Sequence, residues 1–380
     1  MDILKRKIQE AIENSLFKGK AIIIYGARQV GKTTLVKEIQ KKYPDDSVYL
    51  DCDEPDIRAT FSNRTSTEIK SFLGNKKLVI LDEAQRIRDV GLALKLIVDN
   101  FPEIQIIATG SSSFDLSNQI IEPLTGRKYE FYLYPFSLAE LTAVYSVLEI
   151  NRLLEQRIVL GMYPEIVFSG KESEDKLKSI AKSYLYKDIL QFQNIKNSEA
   201  IEKLLQALAL QIGNEVSYNE LAQMAGIDKN TVASYIRILE KAFIIFRLMP
   251  FSRNLRNELK KLRKIYFFDT GIRNALINNF NPLNLRQDTG FLWENFIISE
   301  RIKYNHNNNS EKNIYFWRTR EGKEIDYLEE AGGKINGFEI KWLDESFRPP
   351  KLFLETYPQS EVHLINKKNY WDILANNKND

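Results

Sequence analysis

The stretch Ala21-Ile22-Ile23-Ile24-Tyr25-Gly26-Ala27-Arg28-Gln29-Val30-Gly31-Lys32-Thr33-Thr34 decides the fold. Its first five residues form an unbroken apolar run, as a strand buried on both faces requires. A loop with glycine at each end follows, and Leu35 to Lys42 then shows the spacing of an amphipathic helix. From Gly26 to Gly31-Lys32-Thr33 the spacing is G-x-x-x-x-G-K-[ST]. In such a loop glycines let backbone N–H groups curl around phosphate oxygens, and the helix N-terminus adds partial positive charge. Residues Gly26, Ala27, Arg28, Gln29, Val30, Gly31, Lys32, Thr33 and Thr34 are therefore expected to hold a nucleotide. Lys32 would reach the β and γ phosphates and the Thr33 hydroxyl would bind Mg2+.

Working outward, Leu78-Val79-Ile80-Leu81 reads as a second buried parallel strand ending at Asp82-Glu83. Ligands of open parallel sheets gather at that strand end. Asp82 suits the shell of the magnesium ion, and Glu83 is placed to orient and deprotonate an attacking water. Further strands are expected at Val48 to Asp51 and Ile104 to Ala108, with helices near Thr67 to Leu73 and Gly91 to Phe101, giving a doubly wound α/β sheet. The last strand delivers Thr109-Gly110-Ser111-Ser112-Ser113 to the same edge, where a hydroxyl, Ser111 in particular, could contact the γ phosphate. Ordinary turn chemistry accounts for the same cluster.

GARQVGKTT, LVILDEAQ, IIATGSSS and LTGRKYEFYLYPFSLAEL together resemble the bacterial and archaeal AAA-type ATPases related to the signal-transduction NTPases. The resemblance covers the whole chain, since those proteins also carry a winged-helix segment and a C-terminal domain of unassigned function. It implies ATP rather than GTP. It also implies a charge-stabilising arginine, for which Arg127 in LTGR is a candidate, within the chain or toward a neighbouring subunit of a homo-oligomer; Arg28 is another.

Composition narrows the chemistry. At 380 residues two or three domains are expected, and 43% hydrophobic with 28% charged residues is ordinary for a globular chain. No apolar run approaches a membrane span, and MDILKRKIQEAIENSL has no signal-peptide core, so a cytoplasmic protein without a membrane partner is expected. One cysteine, Cys52, excludes intrachain disulfides, and with only His306 and His363 a Cys/His zinc site cannot form. Chemistry should rest on carboxylates, lysine, metal ions and phosphate.

Residues 151–198 turn helical and read as a lid against the nucleotide, interrupted at Gly161-Met162-Tyr163-Pro164. In residues 199–268 a helix over Ile201 to Ile212 precedes Ser217-Tyr218-Asn219-Glu220, a capping-box pattern, and Asp228 is expected to cap a third helix through Lys241. Strands at Ala242 to Leu248 and Leu262 to Phe268 would complete a winged helix. Its wing gathers Arg253, Arg256, Lys260, Lys261, Arg263 and Lys264, an array suited to DNA phosphates. Residues 151–268 hold 19 basic against 13 acidic side chains, so the net charge of +3 conceals a basic middle. Winged helices also serve as protein-binding modules, so a protein partner stays open.

From Gly290 an amphipathic helix runs to about Tyr304, followed by strands containing Asp326 and then Glu339-Ile340-Lys341. This order resembles the PD-(D/E)XK nuclease superfamily. The resemblance implies Asp326 and Glu339 as metal ligands for a second Mg2+ or Mn2+, Glu294 as an auxiliary ligand and Lys341 as electrostatic catalyst. No proline precedes Asp326, a departure from the usual pattern, and a retained fold can bind DNA without cutting it. The expected organisation is an AAA-type P-loop domain over 1–150, a helical lid over 151–198, a winged helix over 199–268 and an α/β nuclease-like domain over 269–380. The expected function is an ATP-hydrolysing switch acting on DNA, or a DNA- or protein-binding regulator whose nuclease-like domain does not cleave.

Overall fold

The computed structural model describes residues 4–110, 120, 122–183, 198–251, 263–319, 321–344 and 346–375. They form two compact units, residues 1–135 with 241–243, and residues 136–240 with 244–380. No helix among the described residues is long and apolar enough to cross a membrane.

The first unit is built on a parallel sheet of β1 (Ala21–Tyr25), β2 (Ser47–Asp51), β3 (Leu78–Asp82), β4 (Gln105–Gly110) and β5 (Lys128–Tyr132), in the order β2-β3-β4-β1-β5. Every residue of β1, β3 and β4 is buried, which explains the continuous apolar runs: helices cover both faces of a parallel sheet and leave no polar side. Helices Lys32–Gln40, Ser66–Leu73 and Val90–Asn100 link the strands. All the ligand-suited strand ends, after Tyr25 and at Asp82 and Gly110, therefore face one edge. Two glycines are forced. A Cβ at Gly26 would lie 2.3 Å from the Leu133 carbonyl oxygen, and Gly31 has φ +96°.

The second unit has a seven-stranded mixed sheet in which β6 (Glu215–Val216), β7 (Ile245–Pro250), β8 (Arg263–Phe267), β9 (Asn313–Arg318), β10 (Glu324–Ala331), β11 (Lys334–Ile340) and β12 (Ser360–Ile365) run in the order β12-β11-β10-β9-β7-β8-β6. β7 and β8 pair antiparallel, Ile245 against Phe267, and β7 pairs parallel with β9 through Met249 and Tyr315. The sheet thus runs across residue 268, joining the expected wing strands to the C-terminal segment. Gly332 and Gly333, at φ +58° and +82°, make the two-residue turn between β10 and β11.

Helix Thr289–Asn307 crosses this sheet and is buried from Leu292 to Asn305. The sequence suggests an amphipathic helix, and its polar side is packed as well. The Asn295 amide brackets Phe267, accepting from its N–H at 2.8 Å and donating to its carbonyl at 2.7 Å; Ser299 donates to Phe268 O at 2.7 Å. Arg301 pairs in a fork with Glu329 at 3.0 and 2.6 Å. The Asn295, Ser299 and Arg301 side chains are tolerated in the interior because each is matched.

The helices of the expected lid, Val147–Leu160, Pro164–Val167 and Ser173–Ser183, find partners inside the second unit. Asn274 donates to Val159 O at 2.8 Å, and the Met162 N–H donates to Asp269 at 2.7 Å. Residues 184–197, the rest of the expected lid, lie outside the described residues. Ser217 makes no side-chain cap at Tyr218–Ala225, unlike the capping-box expectation, whereas Asp228 accepts from the N–H groups of Asn230 and Thr231 at 2.8 and 3.0 Å.

Candidate functional site

At the C-terminal edge of the parallel sheet, Lys32 is 5% exposed and its ammonium donates to the Gly26 and Ala27 carbonyls at 2.8 and 2.9 Å. Leading off the helix behind the loop, it lies folded over the hollow that phosphates would occupy. Thr33 Oγ1 donates to Asp82 Oδ2 at 2.6 Å, so β3 and the helix start bring the two Mg2+-suited groups into contact. Asp82 is 3% exposed and collects two more hydroxyls, Tyr49 from β2 at 2.6 Å and Thr109 from β4. Burial and the nearby Asp82 charge push the Tyr49 phenol well above its ordinary value, so it remains a donor.

Glu83 follows in the left-handed region at φ +53°, its N–H donating to Thr109 Oγ1 at 3.2 Å. Its Oε2 accepts from Gln85 Nε2 at 2.5 Å. The arrangement fits a magnesium nucleotide: the loop has no room for a Cβ at Gly26, a lysine sits in the cradle, and the buried carboxylate is surrounded by hydroxyls.

Two groups here escape the sequence reading, Arg6 and Tyr49, whereas Thr109 belongs to the hydroxyl cluster expected at this edge. Arg6, buried near the N-terminus, donates to Val30 O of the loop at 2.7 Å and to Tyr134 O at 2.6 Å. Tyr49 and Thr109 steady Asp82. Alternation along β2 marks Tyr49 as facing the same side as Asp51, a usable signal; Arg6 lies 24 residues from Val30 and carries none. Ser111, the expected sensor, lies outside the described residues, and Thr109 is the hydroxyl of β4 at Asp82.

Arg127 is displaced from the site. Its carbonyl accepts from Ala21 N–H at 2.9 Å, which puts it at the start of β1 while the phosphate loop follows the other end. Its guanidinium is paired to Asp99 at 2.6 Å. Within the chain this sets Arg127 a strand's length from the phosphate loop. Arg28 lies on the loop, half-buried.

The second unit gathers a separate group. β10 contributes Glu324 and Asp326, the end of β11 Glu339 and then Lys341, the 289–307 helix Glu294, and β8 Lys264 and Tyr266. Lys341 Nζ lies 2.8 Å from Glu339 and 3.6 Å from Asp326. Asp326 also accepts the Ile340 N–H at 2.8 Å. Glu294 accepts from Tyr266 at 2.5 Å and Lys264 at 3.2 Å, and Lys264 also contacts Glu324. Four carboxyl groups thus face two ammoniums. Burial, then the Asp326 charge, pushes Glu294 and Glu339 up to about 7, and burial raises Asp326 as well. Burial opposes the charge on Lys264, but Glu294, Glu324 and Asp326 outweigh it and hold its pKa above the usual lysine value.

The structure brings Glu294, Asp326, Glu339 and Lys341 into one group. Among the described residues no three His, Cys, Asp or Glu side chains are placed to hold a metal ion. The Lys264 ammonium lies between Glu294 and Glu324. This also corrects the reading of the basic wing. Lys264 is 3% exposed and faces inward, and the Arg263 guanidinium stacks on the Tyr218 ring at 4.4 Å. Arg253, Arg256, Lys260 and Lys261 lie outside the described residues. Period-two alternation in Arg263-Lys264-Ile265-Tyr266-Phe267, with Lys264 beside Tyr266, carried the missed signal.

Comparisons with known proteins fit the first unit best. Residues 18–142 match the model of an AAA domain, and residues 151–283 and 289–369 match two domains of unknown function, DUF8612 and DUF4143. The uncharacterized protein Rv2008c of Mycobacterium tuberculosis is 27% identical over 349 residues, covering 90% of this chain and 74% of its own. The uncharacterized protein MJ1637 of Methanocaldococcus jannaschii is 28% identical over 314 residues, covering 72% and 66%. Among solved structures, the Thermotoga maritima RuvB Holliday junction branch migration motor matches at 16% identity and TM-score 0.33, over 64% of this chain and 90% of that one. With the loop and the parallel sheet, the domain match shows that the chain carries an AAA-type P-loop ATPase domain.

Proposed function

We propose that the protein is an ATP-hydrolysing switch whose nucleotide state governs a winged-helix segment and a nuclease-like segment, with DNA as the macromolecular partner. The observation that carries the proposal is the convergence of Lys32, Thr33, Asp82, Glu83 and Thr109 at one edge of the parallel sheet. Lys32, released from the loop carbonyls, would reach the β and γ phosphates, and the first N–H groups of its helix would point at them. Thr33 and Asp82 would hold Mg2+, which when bound offsets phosphate charge. Glu83 would orient the water and take its proton, and Thr109 would hold the backbone of Glu83 beside Asp82.

For the second unit, helices Ser198–Leu210, Tyr218–Ala225 and Lys229–Lys241 followed by the β7–β8 hairpin support the winged-helix reading. Lys229, Asn230 and Arg237 are exposed on the third helix and suit phosphate or base contact, whereas Tyr235 is buried and does not. The lysine-filled carboxylate group favours a regulator that binds DNA or protein without cleaving it.

The test is phosphate release from ATP with Mg2+, beside plasmid integrity, for the wild type and Lys32→Ala. Turnover that stops in the variant, with plasmid intact throughout, is the expected result. Unchanged turnover in Lys32→Ala would remove the ATP site, and plasmid cutting would remove the non-cleaving reading.

A further inference from the structure

Lys264 has no counterpart in the nuclease-like pattern of Glu294, Asp326, Glu339 and Lys341, yet it reaches the middle of that group. Its side chain is 4% exposed, 3.2 Å from Glu294 Oε1 and in direct contact with Glu324 Oε1. The Phe316 ring lies 5.6 Å from its ammonium, and Tyr266 holds the same Glu294 oxygen. β8 carries this lysine between two paired neighbours, with Leu248 of β7 and Glu215 of β6 opposite Lys264. The ammonium is thus fixed by the sheet, unlike that of a flexible surface lysine.

We propose that Lys264 is the resident cation of this cluster, standing where a nuclease-like arrangement would put a divalent ion between Glu294 and the β10 carboxylates. The proposal rests on the nuclease-like reading of residues 269–380. An ammonium supplies one positive charge and three donors to buried acidic oxygens. It supplies no coordination geometry, so it stabilises the fold of the site without the chemistry of a metal. The compensation is incomplete: Glu339 is 7% exposed and its Oε2 is buried without a hydrogen-bond partner. A divalent ion held by Asp326 and Glu339 would be repelled by the Lys264 ammonium in addition to that of Lys341, so Lys264 weakens binding of the ion. Lys264 is then a positioning residue that lowers the affinity of the cluster for metal.

Mn2+ binding to the nucleotide-free full chain, followed by electron paramagnetic resonance of the free ion, tests this in four proteins: wild type, Lys264→Met, Lys264→Met with Glu324→Gln, and Lys264→Met with Asp326→Asn. The second removes one charge of each sign and keeps the test available where Lys264→Met alone fails to fold. The Asp326→Asn protein corrects for Mn2+ held elsewhere, at Asp82 for example. We expect weak binding by the wild type, binding at least about tenfold tighter without Lys264, and loss of that gain with Asp326→Asn. Mn2+ should also raise the melting temperature of Lys264→Met and leave that of the wild type unchanged. Wild-type binding as tight as that of Lys264→Met, lost with Asp326→Asn in place, would overturn the role of Lys264 while sparing the nuclease-like layout. Absence of Mn2+ binding in every folded variant would overturn both.

Discussion

Asp82 shows how one residue organises the nucleotide site. It receives hydroxyls from three elements, Thr33 on the helix, Tyr49 on β2 and Thr109 on β4, which together orient it. Removing the Tyr49 hydroxyl leaves Asp82 buried with two donors. A hydrogen bond to a charged group contributes about 1.5–3 kcal/mol, so Tyr49→Phe should lower the unfolding free energy by that amount, seen as a lower urea midpoint, and raise the Mg2+ concentration needed for half-maximal ATP turnover. In the second unit, Glu294 and Glu339 have folded pKa values raised to about 7 from an ordinary 4.5. The folded state therefore binds more protons than the unfolded chain between these values. Stability contributed by these groups is greatest below about pH 4.5, falls as pH rises through about 7, and is flat above. Glu339→Gln should remove about half of that slope, visible in chemical denaturation at pH 5 and pH 8.

Among elements, the phosphate loop and the 289–307 helix contrast in how far sequence reveals them. The loop is legible because everything that makes it is contiguous: strand, glycines, lysine and helix start follow one another from Ala21 to Gln40. Its fixed geometry predicts that Gly26→Ala abolishes nucleotide binding, since the new Cβ would lie 2.3 Å from the Leu133 oxygen; binding of a fluorescent ATP analogue measures this. The helix misleads, because burial on its polar side comes from partners far along the chain. Glu329, 28 residues beyond Arg301, neutralises it, and Phe267, 28 residues before Asn295, occupies its amide. Arg301→Met would leave Glu329 buried with the Lys312 ammonium at 3.3 Å and the Asn305 amide at 2.9 Å in place of the guanidinium fork. Breaking a buried pair on one side costs roughly 3–5 kcal/mol, and thermal unfolding should show a loss of that size. Lys264 escaped notice for the same reason: in sequence it belongs to a basic run, and only the placement of four elements makes it an interior cation.

At the scale of the whole molecule, the near-neutral net charge of +3 gave way to a basic middle, and the structure divides that middle again. Arg263 stacks on Tyr218 and Lys264 is buried in the second unit, so the proposed phosphate contact draws, among the described residues, on Lys229, Asn230 and Arg237 of the third helix. Arg237→Glu should weaken DNA binding and flatten its salt dependence, read by fluorescence anisotropy across salt concentrations. The seven-stranded sheet explains why residues 199–268 did not read as part of the C-terminal segment: strand pairing between Met249 and Tyr315 is non-local and leaves no motif. What the account claims above all is that the edge of the parallel sheet hydrolyses ATP by means of Glu83. Single-turnover hydrolysis of radiolabelled ATP by Glu83→Gln, alongside its equilibrium ATP affinity, tests this directly. The account predicts near-wild-type affinity with hydrolysis slowed by roughly 10²–10⁴-fold; hydrolysis at the wild-type rate would contradict it.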